Sequence, residues 1–233
     1  MQTATIKLTG SAANGATAAK RRIFIVEDHP IFRLGLSKLI SLEQDLVVCG
    51  EANNTVQALD ALRHTQADAV VVDISLPGAN GMELVKSLRA EHPKLPILVL
   101  SAHDEKLYAL RALRAGSSGF LMKRESEHSF IPALRTVLGG KIWVSPSFGQ
   151  QLIYKIARGA DGSGSPLDAL TDRELEILHL VGEGKATSQI AESLHLSVKT
   201  VECHRLHVKE KLNLQTAGEL ARFAVEWVSQ QEG

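Results

Sequence analysis

Apolar residues along this chain gather in short continuous runs, each followed by a longer segment in which they recur at helical spacing. The runs are "RIFIVED" ending at Asp28, "LVVCGEA" ending at Ala52, "AVVVD" ending at Asp73, "PILVLSA" ending at Ala102 and "GFLMK" ending at Lys123. Runs this continuous predict strands buried on both faces of a parallel sheet, because helical crossovers must cover both sides. Five strands alternating with five helices predict a doubly wound α/β domain. The stretch "RGADGSGSPLDA", Arg158 to Ala169, is too rich in Gly, Ser, Asp and Pro to support a core and reads as a linker. From Leu170 onward the spacing is helical, in short pieces at Thr171–Val181, Ser188–Leu194, Val198–Leu212 and Thr216 to about Ser229. Thr171 with Glu174 three residues later is a capping-box signature, Gly182 and Gly184 end the first helix, and Ser197 suits the N-cap of the third. Two short helices across a tight turn predict a helix-turn-helix layout. The expected division is a mobile tail at 1–20, an α/β domain at 21–141, a linker at 142–168 and a small all-α domain at 169–233.

Composition adds bounds. With 233 residues and 44% hydrophobic content, two domains are expected. No apolar run approaches the roughly 20 residues that span a bilayer, and the start lacks the apolar block of a secretory signal, so a cytoplasmic location without membrane contact is expected. Cys49 and Cys203 fall in different domains, which argues for ordinary thiols. The 26 basic and 26 acidic residues cancel, so any nucleic-acid signal must be local.

The carboxyl ends of parallel strands form the crevice in which α/β folds bind ligands. Glu27 and Asp28 end the first strand, Asp73 the third, Ser101 the fourth and Lys123 the fifth. Three carboxylates and one ammonium leave negative charge in excess, which a hard divalent cation relieves; Mg²⁺ suits it because it keeps waters and accepts phosphate oxygens. The chemistry that follows is phosphoryl transfer, with Asp73 as nucleophile, Lys123 neutralising phosphoryl oxygens and the Ser101 hydroxyl donating to one of them.

These residues resemble those of a two-component response regulator. The matching motifs are the acidic pair in "IVEDHP", the loop "DISLPGANG" with Pro77 and Gly81, "LSA" with Ser101, and "GFLMK" with Lys123. The resemblance implies a flavodoxin-like receiver fold in which Asp73 accepts phosphate from a sensor histidine kinase. It also implies Mg²⁺ held by Glu27, Asp28, Asp73 and the main-chain carbonyl of Ser75, and an aromatic switch at Phe120. Phe120 could equally be ordinary core. Phosphatases of the haloacid dehalogenase type also place a nucleophilic aspartate after an apolar strand, but they carry a second aspartate two residues on as general acid. Here that position is Ser75, so enzymatic turnover is not expected.

In the second domain, "LTDRELEIL", "SQIAESLHLS" and "KTVECHRLHVKEKL" resemble the LuxR-type DNA-binding domain, and the combination resembles the NarL/FixJ subfamily of response regulators. Val201, Val208 and Leu212 should pack inward, while Lys199, Glu202, Cys203, Leu206 and Lys209 share the opposite face. From Ala169 to Gly233 there are seven Lys or Arg against ten Asp or Glu, but within Ser197 to Lys211 four cations face two anions, confining positive charge to the third helix. Candidate contacts to double-stranded DNA are Lys199, Thr200, Glu202, Cys203, Arg205 and Lys209, with the cations on phosphates and Glu202 and Cys203 toward the groove. The last helix should bury Ala217, Leu220, Ala221, Ala224 and Val228, leaving Phe223 and Trp227 as candidates for joining two subunits on activation. Two functions remain open: a phosphorylation-switched transcription regulator, or a constitutive DNA-binding protein with an idle first domain.

Overall fold

The structure is a computed structural model that describes residues 19–76, 80–157 and 166–229. The expected tail up to residue 18, Pro77 in the loop after Asp73, and the whole "RGADGSGS" stretch of the linker lie outside the described residues.

The first half alternates β1 (Arg21–Val26), α1 (Pro30–Leu42), β2 (Leu46–Ala52), α2 (Thr55–His64), β3 (Ala69–Asp73), α3 (Gly81–Glu91), β4 (Ile97–Ser101), α4 (Glu105–Ala115), β5 (Gly119–Met122) and α5 (Ser126–Leu138). The five strands form one parallel sheet in the order β2-β1-β3-β4-β5. Every residue of β3 and β4 is buried, which is why those runs read as unbroken apolar sequence. Alternate side chains serve opposite faces. Phe24, Val26, Val70 and Val72 pack with Ala58, Leu84 and Leu88 of α2 and α3, whereas Ile23, Ile25 and Val71 pack with Leu36 and Ile40 of α1 and Phe130 and Leu134 of α5. Asn54, Asn80 and Asp104 cap α2, α3 and α4 by accepting an amide hydrogen from the first turn. The edge of β5 is closed by Trp143, whose carbonyl accepts from Phe120 N at 2.9 Å and whose amide donates to Ser118 O at 3.1 Å.

The stretch 142–168, expected as a linker, carries a helix, α6 (Pro146–Ala157). Its start follows the ordinary rule: Ser145 Oγ accepts from Phe148 N at 3.1 Å, and Pro146 occupies the first helical position. Ser145 is in turn held by the buried carboxylate of Glu105, which accepts its amide at 2.7 Å and its hydroxyl. Phe148 and Leu152, four apart, pack inward.

The second domain comprises α7 (Asp172–Gly182), α8 (Thr187–Ser193), α9 (Val198–Lys211) and α10 (Ala217–Ser229). Thr171 and Glu174 form the full capping box, and Ser197 accepts from Thr200 N to cap α9. Gly182 lets α7 approach α10, since a Cβ there would lie 2.5 Å from Ala224 O. Leu220, Ala224 and Val228 are buried on α10, but Ala217 is exposed. It is the first residue of the helix, before α10 reaches the core, so periodicity carried the buried stripe one turn too far. The apolar cluster beneath α2, α3 and α4 continues without a break into the core of these four helices.

Candidate functional site

Asp73 sits at the last position of β3 and is fully buried. Lys123, just past β5, donates its ammonium to Asp73 Oδ2 at 2.9 Å and lies 2.8 Å from Glu27 Oε2. Ser75 N donates to Asp73 Oδ1 at 3.1 Å, the short turn after the strand thus fixing the other oxygen. Glu27 is buried beside Asp73, Asp28 is half-buried, and Ser101 is buried at the end of β4, its hydroxyl oxygen accepting from His103 N at 2.9 Å. The structure therefore brings together Glu27, Asp28, Asp73, Ser75, Ser101 and Lys123 at one edge of the sheet. Phe120 is buried in β5 opposite Val99, packed in the same cluster as Tyr108. Gly81 has a specific reason: a Cβ at this position would lie 2.1 Å from the carbonyl oxygen of Asp73, so only glycine lets α3 start this close to β3.

Burial pushes the Asp73 carboxyl up to about 6, with the ammonium of Lys123 opposing and the charge of Glu27 adding to the rise. Burial acts in the other direction on Lys123, but Asp73 and Glu27 outweigh it and raise its pKa. The site therefore carries more carboxylate than its one ammonium neutralises. Ligand atoms of Glu27, Asp28, His29 and Asp73 all lie within 4.8 Å of one another. Three hard oxygen donors converging with excess negative charge fit a divalent cation such as Mg²⁺.

Two histidines join the site without having been singled out in the sequence. His29 Nδ1 is 2.9 Å from Asp28 Oδ1, and His103 Nε2 is 3.3 Å from Ser75 Oγ. Their positions directly after the acidic pair and two residues after Ser101 were the available signals.

The helix-turn-helix domain is packed against this edge through α7. Arg111 of α4 donates to Leu170 O at 2.8 Å, Leu167 O at 2.6 Å and Asp172 Oδ1 at 3.2 Å. Asn80 Nδ2 reaches Glu176 Oε2 at 3.4 Å. The His103 ring stacks on Tyr108 at 5.0 Å and meets His179 edge-on at 5.2 Å, and His179 meets Trp227 at 6.0 Å. Glu176 is buried, which pushes its carboxyl up to about 7; Arg173 at 2.8 Å opposes that rise and the charge of Asp73 adds to it.

On α9, Lys199, Glu202, Cys203 and Leu206 are exposed, while Val201 and Val208 are buried and Leu212 is half-buried. Thr200 and Lys209 are half-buried. Arg205 is also half-buried and donates to Thr187 Oγ1 at the start of α8, so it ties the two helices of the motif together. Phe223 and Trp227 are half-buried against the domain core, and Val225 is a large apolar residue of α10 that is exposed.

Residues 23–135 match the family of response regulator receiver domains, and residues 168–224 match the luxR family of bacterial regulatory proteins. The oxygen regulatory protein NreC of Staphylococcus carnosus (strain TM300) is 32% identical over 209 residues, covering 88% of this chain and 96% of that protein. A crystal structure of a LuxR-family two-component response regulator from Aurantimonas sp. SI85-9A1 superposes with TM-score 0.56 at 32% identity, covering 60% of this chain and 99% of that one. RcsB from Salmonella enterica serovar Typhimurium, bound to a promoter in the presence of phosphomimetic BeF3−, superposes with TM-score 0.55 at 25% identity, covering 88% and 99%. With both domains matched in order, and a relative aligned over nearly its whole length, this chain belongs to the NarL/FixJ-type two-component response regulators, which join a receiver domain to a LuxR-type DNA-binding domain.

Proposed function

We propose that this protein is a phosphorylation-switched transcription regulator of the cytoplasm, with a receiver domain at 21–141 and a DNA-binding domain at 169–233. Asp73 takes a phosphoryl group from the phosphohistidine of a sensor kinase. Its carboxylate oxygen attacks phosphorus as the P–N bond breaks and the imidazole leaves. Lys123 balances charge on the phosphoryl oxygens, and the Ser101 hydroxyl donates to one of them. Glu27, Asp28, Asp73 and the Ser75 carbonyl would hold Mg²⁺, which would supply the remaining charge neutralisation. Ile31 is 88% exposed and Leu34 71% exposed on α1, and Lys123 lies 4.7 Å over the ring of Phe32 on the same helix, so an apolar surface for the kinase adjoins the site.

The observation that carries the switch over the constitutive reading is the burial of Glu176 of α7 within the electrostatic reach of Asp73. Phosphorylation adds negative charge next to a carboxyl already buried at a cost, which weakens the seat of α7 on the receiver. Freed α7 and α10 can then pair with a second copy through Phe223 and Trp227, while Lys199, Thr200, Arg205 and Lys209 meet DNA phosphates and Glu202 and Cys203 face the groove. The phosphatase alternative finds no support, because Ser75 offers Asp73 an amide where that chemistry requires a carboxylic acid. The test is labelling by acetyl phosphate with Mg²⁺, followed by binding to DNA sequences selected from a random pool. Wild type is labelled and binds more tightly, and Asp73→Asn does neither. A labelled Asp73→Asn chain contradicts the acceptor assignment, and labelling without a change in DNA affinity supports the constitutive alternative.

A further inference from the structure

A second convergence of ligand-type side chains lies in the DNA-binding domain, away from the phosphoacceptor. Glu174 comes from the first turn of α7, and His204 and His207 come from the middle of α9; their ligand atoms lie within 4.8 Å of one another. We propose that these three residues form a transition-metal site that takes Zn²⁺ or a similar borderline cation.

The three groups approach without satisfying one another. Glu174 Oε1 stands 3.7 Å from His207 Nδ1, too far for a hydrogen bond. Two donors at about 2.1 Å from a tetrahedral ion lie about 3.4 Å apart, so this spacing is close to that of two ligands sharing a metal. His204 Nδ1 is buried and has no hydrogen-bond partner among the described residues, although an imidazole nitrogen out of water normally has one. The other oxygen of Glu174 is fully engaged: Oε2 accepts from Thr171 N at 2.8 Å and from Lys211 Nζ at 2.6 Å. Those donors orient the carboxylate from behind with Oε1 turned toward the imidazoles, as outer-shell partners do around metal ligands. The ammonium of Lys211 lowers the affinity for any cation. The two nitrogens make up for this only with a metal that favours imidazole, which selects zinc over Mg²⁺ or Ca²⁺.

Two imidazoles and one carboxylate leave a fourth position open to water. Cys203 is not one of the converging group: its sulfur lies 3.9 Å from Nε2 of His207, whereas Glu174 approaches the other ring nitrogen, Nδ1. A bound ion would join the first turn of α7 to α9 and fix the recognition helix on the helix that docks against the receiver.

The test is calorimetric titration of ZnCl2 into the full chain, without affinity-tag histidines, in a buffer containing Mg²⁺. An Asp28→Asn background weakens the receiver's own carboxylate cluster. One Zn²⁺ per chain is expected, with affinity falling at least about tenfold in His207→Asn and unchanged in Cys203→Ser. His207 has a side chain 48% exposed, so its replacement leaves the fold intact. The proposal is overturned if the chain binds no zinc, if His207→Asn binds it as tightly as its parent, or if Cys203→Ser abolishes binding.

Discussion

Lys123 Nζ bridges Asp73 Oδ2 at 2.9 Å and Glu27 Oε2 at 2.8 Å, so one ammonium holds together two carboxylates buried at the ends of neighbouring strands. Replacing it removes the ion-pair partner of both Glu27 and Asp73 and, on the proposed function, the cation that meets the phosphoryl oxygens. Lys123→Ala should lower the rate of Asp73 labelling by acetyl phosphate on the order of 10²-fold, the effect of deleting one preorganised charge-stabilising group. Labelling at the wild-type rate would show that Lys123 is only structural.

Arg111 alone supplies three hydrogen bonds that seat the second domain, two to Leu170 and Asp172 and one to Leu167 just before it. Losing them should weaken docking by more than about 1.4 kcal/mol, which is a factor of ten in an equilibrium constant. Arg111→Ala should therefore bind its selected DNA about tenfold more tightly than wild type without phosphodonor, as read by fluorescence anisotropy. Equal affinities would mean that the docked form does not restrain DNA binding.

Docking should depend on pH through Glu176, whose carboxyl is pushed up to about 7 by burial in the interface, against the pull of Arg173 and with the charges of Asp73 and Asp172 adding to the rise. The protonated acid is the form that docks at least cost. Its contribution is fully present below the ordinary carboxylate pKa near 4.5 and is lost as pH rises toward 7. Small-angle scattering should report a larger radius of gyration at pH 8 than at pH 5, and Glu176→Gln should remain compact at both. A substituted chain that expands as the wild type does would place the titration elsewhere.

On α9 the expected roles separate by readout. Lys209→Ala should weaken binding evenly across sequences and reduce its salt dependence, whereas Glu202→Ala should change base preference at one position. Equal losses on every sequence for both variants would count against this division.

Much of the cluster around Asp73 was legible because each residue stands at the end of an apolar run, where a parallel sheet must deliver it to one edge. Asp73, Ser101 and Lys123 needed only strand boundaries to be located. His29 and His103 were not legible, since nothing in a loop dipeptide tells which way a ring turns. The same holds for Arg205: its charge suggested phosphate, but its bond to Thr187 depends on how α8 crosses α9. Helix α6 was missed because the Gly- and Ser-rich segment after it dominated the reading of the whole connection, although Ser145, Pro146 and the Phe148/Leu152 spacing carried a helix start.

What the sequence determined by itself is the order of elements within each of the two domains, the caps at Thr171 and Ser197, and the convergence of three carboxylates with one lysine. Those follow from short-range rules: burial of continuous valine and leucine runs, capping of exposed amides, and the fixed polarity of parallel strands. Only the tertiary structure decided that Glu176 of the DNA-binding domain is buried near Asp73, that Arg111 secures the two domains to one another, and that Glu174 meets His204 and His207. These relationships join residues far apart in the chain and depend on how one packed unit seats on another, which no periodicity along the chain encodes.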